Sequence, residues 1–454
     1  MRAIKIMAFT AYLFILLTCF LILKEKNIIF LFLTILISLF LFVISITNFA
    51  KKMDVMVNFA LPFALTITKT AWIAHPISET IGILSVSAGI YVCATDIILI
   101  YMFWRMFDFP IKKNISNGLI LTYIFFIICS CVSAFVKEFA FAGVLLYIKC
   151  YILYNWFVNN KQENKKKWFV IGMSAALVFQ GIIAILQKIK NGPIGLTFLG
   201  ENNDALRYRI VNGSIDRGAA GTFEHSSRLA IFVIFALLIV AFSIRNQIIK
   251  NMLILWGILI LYFAASRTAI LIFVIAALYH GWKARSRMIK KRHIIAAFCF
   301  LGIAAIGFIY AVYNNMLDFI FNSDLSFQVM NRINHWILAM KYISEKFLFG
   351  YGINNYSAKM STIDATNFYF INPVHNNYLL NWFEVGIGGF ILYIVILLYY
   401  LIQIQYYKSS SCLKKSALLF VICVIIYNFT GWAFAAPTCI YFLWIAFGLI
   451  DSEK

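Results

Sequence analysis

Apolar runs of roughly twenty residues recur along this chain from end to end. In lipid a backbone finds no water, so each run must satisfy its own N–H and C=O groups, and a run of about 20 residues does so as a membrane-spanning helix. A soluble domain is about half apolar and about a quarter charged. Here 63% of residues are hydrophobic and 13% charged, and mean hydropathy is +0.87. That composition leaves too little polar surface for a large soluble helical protein. It predicts an all-α, polytopic integral membrane protein with about 12–14 transmembrane helices.

The expected spans are 6–23, 28–49, 54–73, 82–104, 115–136, 139–158, 168–187, 229–243, 251–265, 268–282, 294–313, 376–404, 416–433 and 438–450. The first lacks a small-residue cleavage site and reads as a signal anchor. With a cytoplasmic N-terminus, Lys and Arg concentrate in the short inside segments, clearest in "KQENKKK" (161–167) and "KARSRMIKKRH" (283–293). The formal charge of +21 is therefore read as membrane orientation and attraction to anionic lipid, not as nucleic-acid binding. The nine cysteines lie mostly inside apolar runs, without metal-ligand spacing, and read as small apolar side chains.

Two outside loops are long, 188–228 and 314–375. Long loops in a compact protein are usually functional. This divides the chain into N-terminal transmembrane helices (1–187) and a catalytic membrane core (188–450) carrying both loops. Arg267, in "FAASRTAILIF", lies between two half-length apolar runs. Either it snorkels to the interface or it clamps an anion, since a guanidinium matches a pair of phosphate oxygens. Arg332 sits near the start of an amphipathic helix on which Ile333, Trp336, Ile337 and Met340 recur at helical spacing. It is an interfacial basic residue or a ligand. Arg217 precedes "GAAG" and pairs with Asp216 or Glu224, or faces a ligand that Gly218 and Gly221 let approach.

His375 follows Pro373 at the N-terminal end of the span 376–404. The positive end of a helix disfavours imidazolium, and a general base must be neutral. The bland alternative is a histidine satisfied at the interface. Glu384 does not partner it, because nine helical residues rotate about 180° and rise about 13 Å. Glu384 is expected to be a buried helix-to-helix contact or a partner for another charge, with Gly386, Gly388 and Gly389 allowing close packing.

Four segments in this order resemble the O-antigen ligase and polymerase superfamily. They are "RGAAGTFEHSSRLA", "SRTAIL", "NRINHWILAMKYISEKFLFGYGINNY" and "HNNYLLNWFEVGIGG", the last including His375 and Asn376. The stretch after Phe223 lacks the family's Pro-Asn. The resemblance implies a GT-C-like architecture in the bacterial inner membrane with its active site on the periplasmic side. It further implies metal-independent, cofactor-free, inverting glycosyl transfer from an undecaprenyl-pyrophosphate-linked glycan donor. Arg267 and Arg332, with Arg217, would hold the pyrophosphate, and His375 would activate the acceptor. The leading expectation is an O-antigen or capsule polysaccharide polymerase, with a chain-length regulator as a further partner. The alternative is the ligase that moves glycan onto lipid A-core. A lipid-linked sugar transporter or flippase is the reading from a different class.

Overall fold

The computed structural model describes residues 28–47, 49–69, 71–74, 90–109, 114–159, 163–201, 208–211, 214–223, 225–285, 323–363 and 372–452. The expected spans 6–23 and 294–313 lie outside them. Each of the other twelve expected spans coincides with a helix: α1 (Ile28–Ile46), α2 (Ala50–Thr66), α3 (Ala94–Met106), α4 (Ile115–Ser130), α5 (Lys137–Asn159), α6 (Glu163–Lys190), α7 (Ser226–Ser243), α8 (Gln247–Ala264), α9 (Arg267–Arg285), and, beyond the long loop, α12 (Asn377–Ile402), α13 (Cys412–Tyr427) and α14 (Pro437–Asp451). That loop contributes α10 (Ser323–Glu345) and the short α11 (Tyr356–Ser361). Among the described residues, five helices are long and apolar enough to cross a membrane: α5, α6, α7, α8 and the segment Asn377–Tyr407. The protein is an all-α, multi-pass membrane protein.

The expected ends of two spans need correction. α2 stops at Thr66, and Ala71–Ala74 (β1) pairs antiparallel with Ile90–Val92 (β2). The cause is a tertiary contact: the Thr68 and Lys69 amides donate to the Leu199 carbonyl at 3.0 and 3.3 Å, so the chain leaves the helix there. α3 consequently starts at Ala94, halfway along the run 82–104. Asp96 caps this half-length helix by accepting from the Cys93 N–H at 2.8 Å, and Lys149 of α5 lies 2.9 Å from it. An acid within an apolar run is thus a helix cap with a cationic partner. The loop 188–228 also holds a ribbon, Tyr208–Val211 (β3) against Ser214–Arg217 (β4). Only Asn212 and Gly213 separate the strands, the pair most favoured in two-residue hairpins.

Packing is closest where side chains vanish. α2 lies against α6 at Gly172, where a Cβ would collide with the Phe59 backbone, and α5 against α14 at Gly448, where a Cβ would meet the Tyr154 carbonyl. α7 is buried on all sides from Arg228 to Val240, as a helix apolar all round must be. One continuous apolar cluster runs from Leu41 to Ile450, across residue 188.

The basic end of the bundle is tied by charge. Asp54 at the start of α2 is 2.9 Å from Arg105 at the end of α3 and 2.9 Å from Lys165 at the start of α6, and Tyr101 donates to it at 2.8 Å. At the same end, Tyr154 of α5 and Tyr400 of α12 donate to Asp451 at 2.9 and 2.8 Å. Buried charges survive only when paired and hydrogen-bonded; Asp54 has both, and Asp451 has the two tyrosine hydroxyls.

Candidate functional site

The opposite end is organised around a break in α12. Gly386 has φ +78°, a left-handed conformation open to glycine, and it interrupts the helix. A Cβ on Gly386 would collide with the Leu348 carbonyl, and one on Gly350 with the Glu384 carbonyl. The turn after α10 fills the break. Ile387 N–H donates to the Phe347 carbonyl at 3.0 Å, and Tyr351 N–H donates to the Phe383 carbonyl at 2.9 Å. These bonds replace ones that the helix loses at the kink. The segments "FLFGYGINNY" and "NWFEVGIGG" are therefore one structural unit.

Glu384, one step before the break, accepts from the Tyr356 N–H at 3.2 Å, and the amides of Asn354 and Asn355 also reach it. It is buried, as expected, but it is held by the backbone of a loop and not by a cation. The turn after α4 clamps the same loop from the other side. Phe135 N–H donates to the Tyr351 carbonyl at 2.8 Å, Val136 N–H to Asn355 Oδ1 at 2.7 Å, and Lys346 Nζ to the Ser133 carbonyl at 2.7 Å. The span expected to run to 136 ends at Ser130 because residues 131–136 serve this contact.

Asn376 is the N-cap of α12: its Oδ1 accepts from Tyr378 and Leu379 N–H at 3.0 and 3.2 Å. His375, half-buried, immediately precedes that cap, at the positive end of the helix. Asn377 N–H donates to the Asn428 carbonyl at 2.8 Å, so the start of α12 is fixed against the end of α13. Below it, Tyr393 Oη accepts from both Asn377 Nδ2 (3.1 Å) and Asn428 Nδ2 (2.8 Å), and Asn381 Nδ2 donates to Tyr123 Oη. Gly389 is buried within α12, where a Cβ would collide with Val385 of its own helix.

Arg332 is half-buried on α10. The apolar stripe expected on that helix is split. Ile333, Ala339 and Ile343 are buried, whereas Ile337 and Met340 are more than half exposed. Both faces are apolar enough to pack, and the loop-docking contact selects the one that also buries His335. Burial lowers the His335 pKa below the usual histidine value. Ala339, Ile343, Val374 and Leu380 form one buried cluster, so α10 and the chain around His375 share a single support.

Arg267 opens α9, directly after a left-handed cap at Ala265 (φ +55°) and buried Ser266. The junction of the two half-length apolar runs is thus a turn between α8 and α9. The Arg267 and Arg217 side chains lie outside the described residues, but their backbones converge. Ala219 N–H donates to the Phe263 carbonyl at 2.9 Å, and a Cβ on Gly218 would lie 3.2 Å from the Ala264 carbonyl. Two glutamines of α6 build this segment: Gln187 accepts from Ala220 and Gly221 N–H (3.0 and 2.8 Å), and Gln180 accepts from Thr222 N–H (3.1 Å). Gln187 also donates to Glu201 at 2.7 Å. Glu201 in turn accepts from the Ile194, Gly195 and Leu196 amides at 2.7, 2.8 and 2.6 Å.

Trp432 joins the two halves. The buried Arg228 guanidinium, in the first turn of α7, lies 5.6 Å from the Trp432 ring centre. Trp432 packs on the α10–α12 cluster and lines a cavity of about 50 Å³ with Glu384, Asn377 and Asn381. Sequence reasoning assigned neither Arg228 nor Trp432 a role. Their signals were an arginine closing a charged loop and a tryptophan in a short turn. Among the described residues, no three His, Cys, Asp or Glu side chains form a metal-binding group.

Residues 252–394 match the family model for O-antigen ligase (Wzy_C), which puts them in the O-antigen ligase/polymerase superfamily. The matched stretch contains Arg267, Arg332, His375, Asn376, Glu384, Gly386 and Gly389; Arg217 precedes it. No curated protein matches the chain. The match supports a glycosyl-transfer type of enzyme, the family implying a lipid-linked glycan and an acceptor as substrates in general.

Proposed function

We propose that the protein transfers a glycan from an undecaprenyl-pyrophosphate carrier to a sugar hydroxyl on the next lipid-linked repeat, as a polysaccharide polymerase of the bacterial inner membrane with a periplasmic site. The observation that carries this reading is the convergence of backbone segments bearing basic residues. The hairpin tip at Arg267 abuts the end of β4 at Arg217, and α10 with Arg332 shares its support with the chain at His375.

In the reaction, neutral His375 takes the proton of the acceptor hydroxyl as its oxygen attacks the anomeric carbon. The bond from that carbon to the carrier's phosphate oxygen breaks, and configuration inverts. Negative charge develops on the departing pyrophosphate, where Arg267 and Arg332, helped by Arg217, stabilise it. This arrangement needs no metal cation. Asn376 fixes the start of the helix that presents the base. Glu384, Gly386 and Gly389 shape the platform and take no part in proton transfer.

The ligase shares this chemistry and differs in acceptor. A strain lacking the protein separates them. Lipid A-core capped with one repeat is the expected result, whereas long chains on the carrier with bare core would establish the ligase. Transport of lipid-linked sugar by purified protein, with no new glycosidic bond formed, would overturn both.

A further inference from the structure

We propose that a groove between α1, α2, α3 and α6 binds one acyl chain of an anionic phospholipid, whose headgroup rests against Lys51 and Lys52. The groove is a cavity of about 340 Å³ with walls that include Leu41, Met56, Phe59, Ala60, Ile97 and Trp168. That volume is within the roughly 300–1,000 Å³ of ligand pockets. Tyr101 and Trp168 are the wall residues with polar side-chain groups, and the Tyr101 hydroxyl is turned away, donating to the Ala50 carbonyl at 2.9 Å and to Asp54. An entirely apolar recess in a membrane protein suits hydrocarbon and offers nothing to a polar ligand.

Three observations identify the headgroup. The groove begins in the first turn of α2 at Met53 and ends near the start of α6 at Trp168, so its mouth is at the basic end of the bundle. Trp168 is partly exposed and meets Phe59 edge-on at 5.8 Å, the position of a residue at the headgroup level. Lys51 and Lys52 are exposed one turn before Val55 and Met56 of the wall, on the same helix face. Lys165, by contrast, is already committed to Asp54. A neutral headgroup would leave both exposed lysines unmatched, whereas an anionic one meets them. The mouth lies at the end opposite the start of α12 and the α8–α9 tip, where the carrier's pyrophosphate is proposed to bind. Retained phospholipid is read without any glycosyl transfer, so the two proposals fail separately.

The test uses the full chain in mixed nanodiscs of phosphatidylglycerol and phosphatidylcholine with the same acyl chains, with retained lipid read by native mass spectrometry. Wild type should retain phosphatidylglycerol at least fivefold over phosphatidylcholine. Lys51→Gln with Lys52→Gln should abolish that preference, and Ala60→Trp, which fills the groove, should remove both lipids. Met56→Trp closes the groove from its exposed rim and serves if Ala60→Trp does not fold. Equal retention of the two lipids by wild type, or undiminished retention in the filled variant, overturns the proposal. A benzophenone amino acid in place of Ile97 should give lipid adducts. Crosslinking instead to residues 6–23 would show that the chain's own first apolar run fills the groove.

Discussion

Asp54 at one end of the bundle and Glu201 and Glu384 at the other are buried acids held in opposite ways. At the basic end, Asp54 is neutralised by Arg105 and Lys165. At the other end, Glu201 and Glu384 are held by backbone amides and a glutamine. Arg105 and Lys165 are consumed in holding helices together. Glu201 and Glu384 take N–H groups instead, and the buried Arg228 lies against an aromatic ring. A site for a pyrophosphate needs cations that acids have not neutralised, and amide cradles for Glu201 and Glu384 leave that possibility open.

The comparison breaks first at the proposed chemistry. His375→Ala and Arg267→Ala should each lower polymer formation by about 10²- to 10³-fold, the usual cost of a general base or an oxyanion donor. Unchanged melting in detergent would accompany the loss. Full activity in both variants would sink the assignment.

The next contrast is between acids. Asp54→Ala leaves buried Lys165 without its carboxylate and Arg105 with Asp108 alone, and should cost about 3–5 kcal/mol of stability, while the surviving folded protein keeps its activity. Glu384→Ala orphans buried amides at about 1–3 kcal/mol and should lose activity as well, because the platform under α12 is disturbed. Thermal melts and turnover of purified variants decide between these patterns. If Asp54→Ala abolished turnover in folded protein, the two ends would not be separable.

A smaller effect is expected at the cap. Asn376→Ala should cost about 1 kcal/mol and reduce turnover by misaligning His375, and Asn376→Asp should restore most of both.

The smallest effect is a pH slope. Burial depresses the His335 pKa in the folded protein, so the unfolded chain binds the proton more readily. Stability from this group is present above the unfolded value of about 6.5 and is lost as pH falls below it. The melting temperature of wild type should drop between pH 7 and pH 5, and His335→Phe should flatten that drop. An unchanged slope in His335→Phe would assign it elsewhere.

Most helices were legible because lipid allows an apolar run of that length few alternatives. The early stops at Thr66 and Ser130 were not, since both depend on distant partners, Leu199 for the first and the loop at 351–355 for the second. For the site, hydropathy placed Arg267 between two half-length apolar runs, and helical arithmetic separated Glu384 from His375. The same arithmetic could not reveal that Glu384 faces the Tyr356 amide, because 28 residues intervene. Nor could it choose between two apolar faces of α10, since periodicity alone does not say which face meets a neighbour.

The break at Gly386 also bears on how the protein is made. Inside lipid, the Phe383 carbonyl and the Ile387 N–H would each cost several kcal/mol if they went unmet. Their partners, Tyr351 and Phe347, precede α12 in the chain. During synthesis the docking turn therefore emerges first, and the α4–α5 turn that clamps it emerges earlier still. The break in α12 is thus made after the residues that satisfy it.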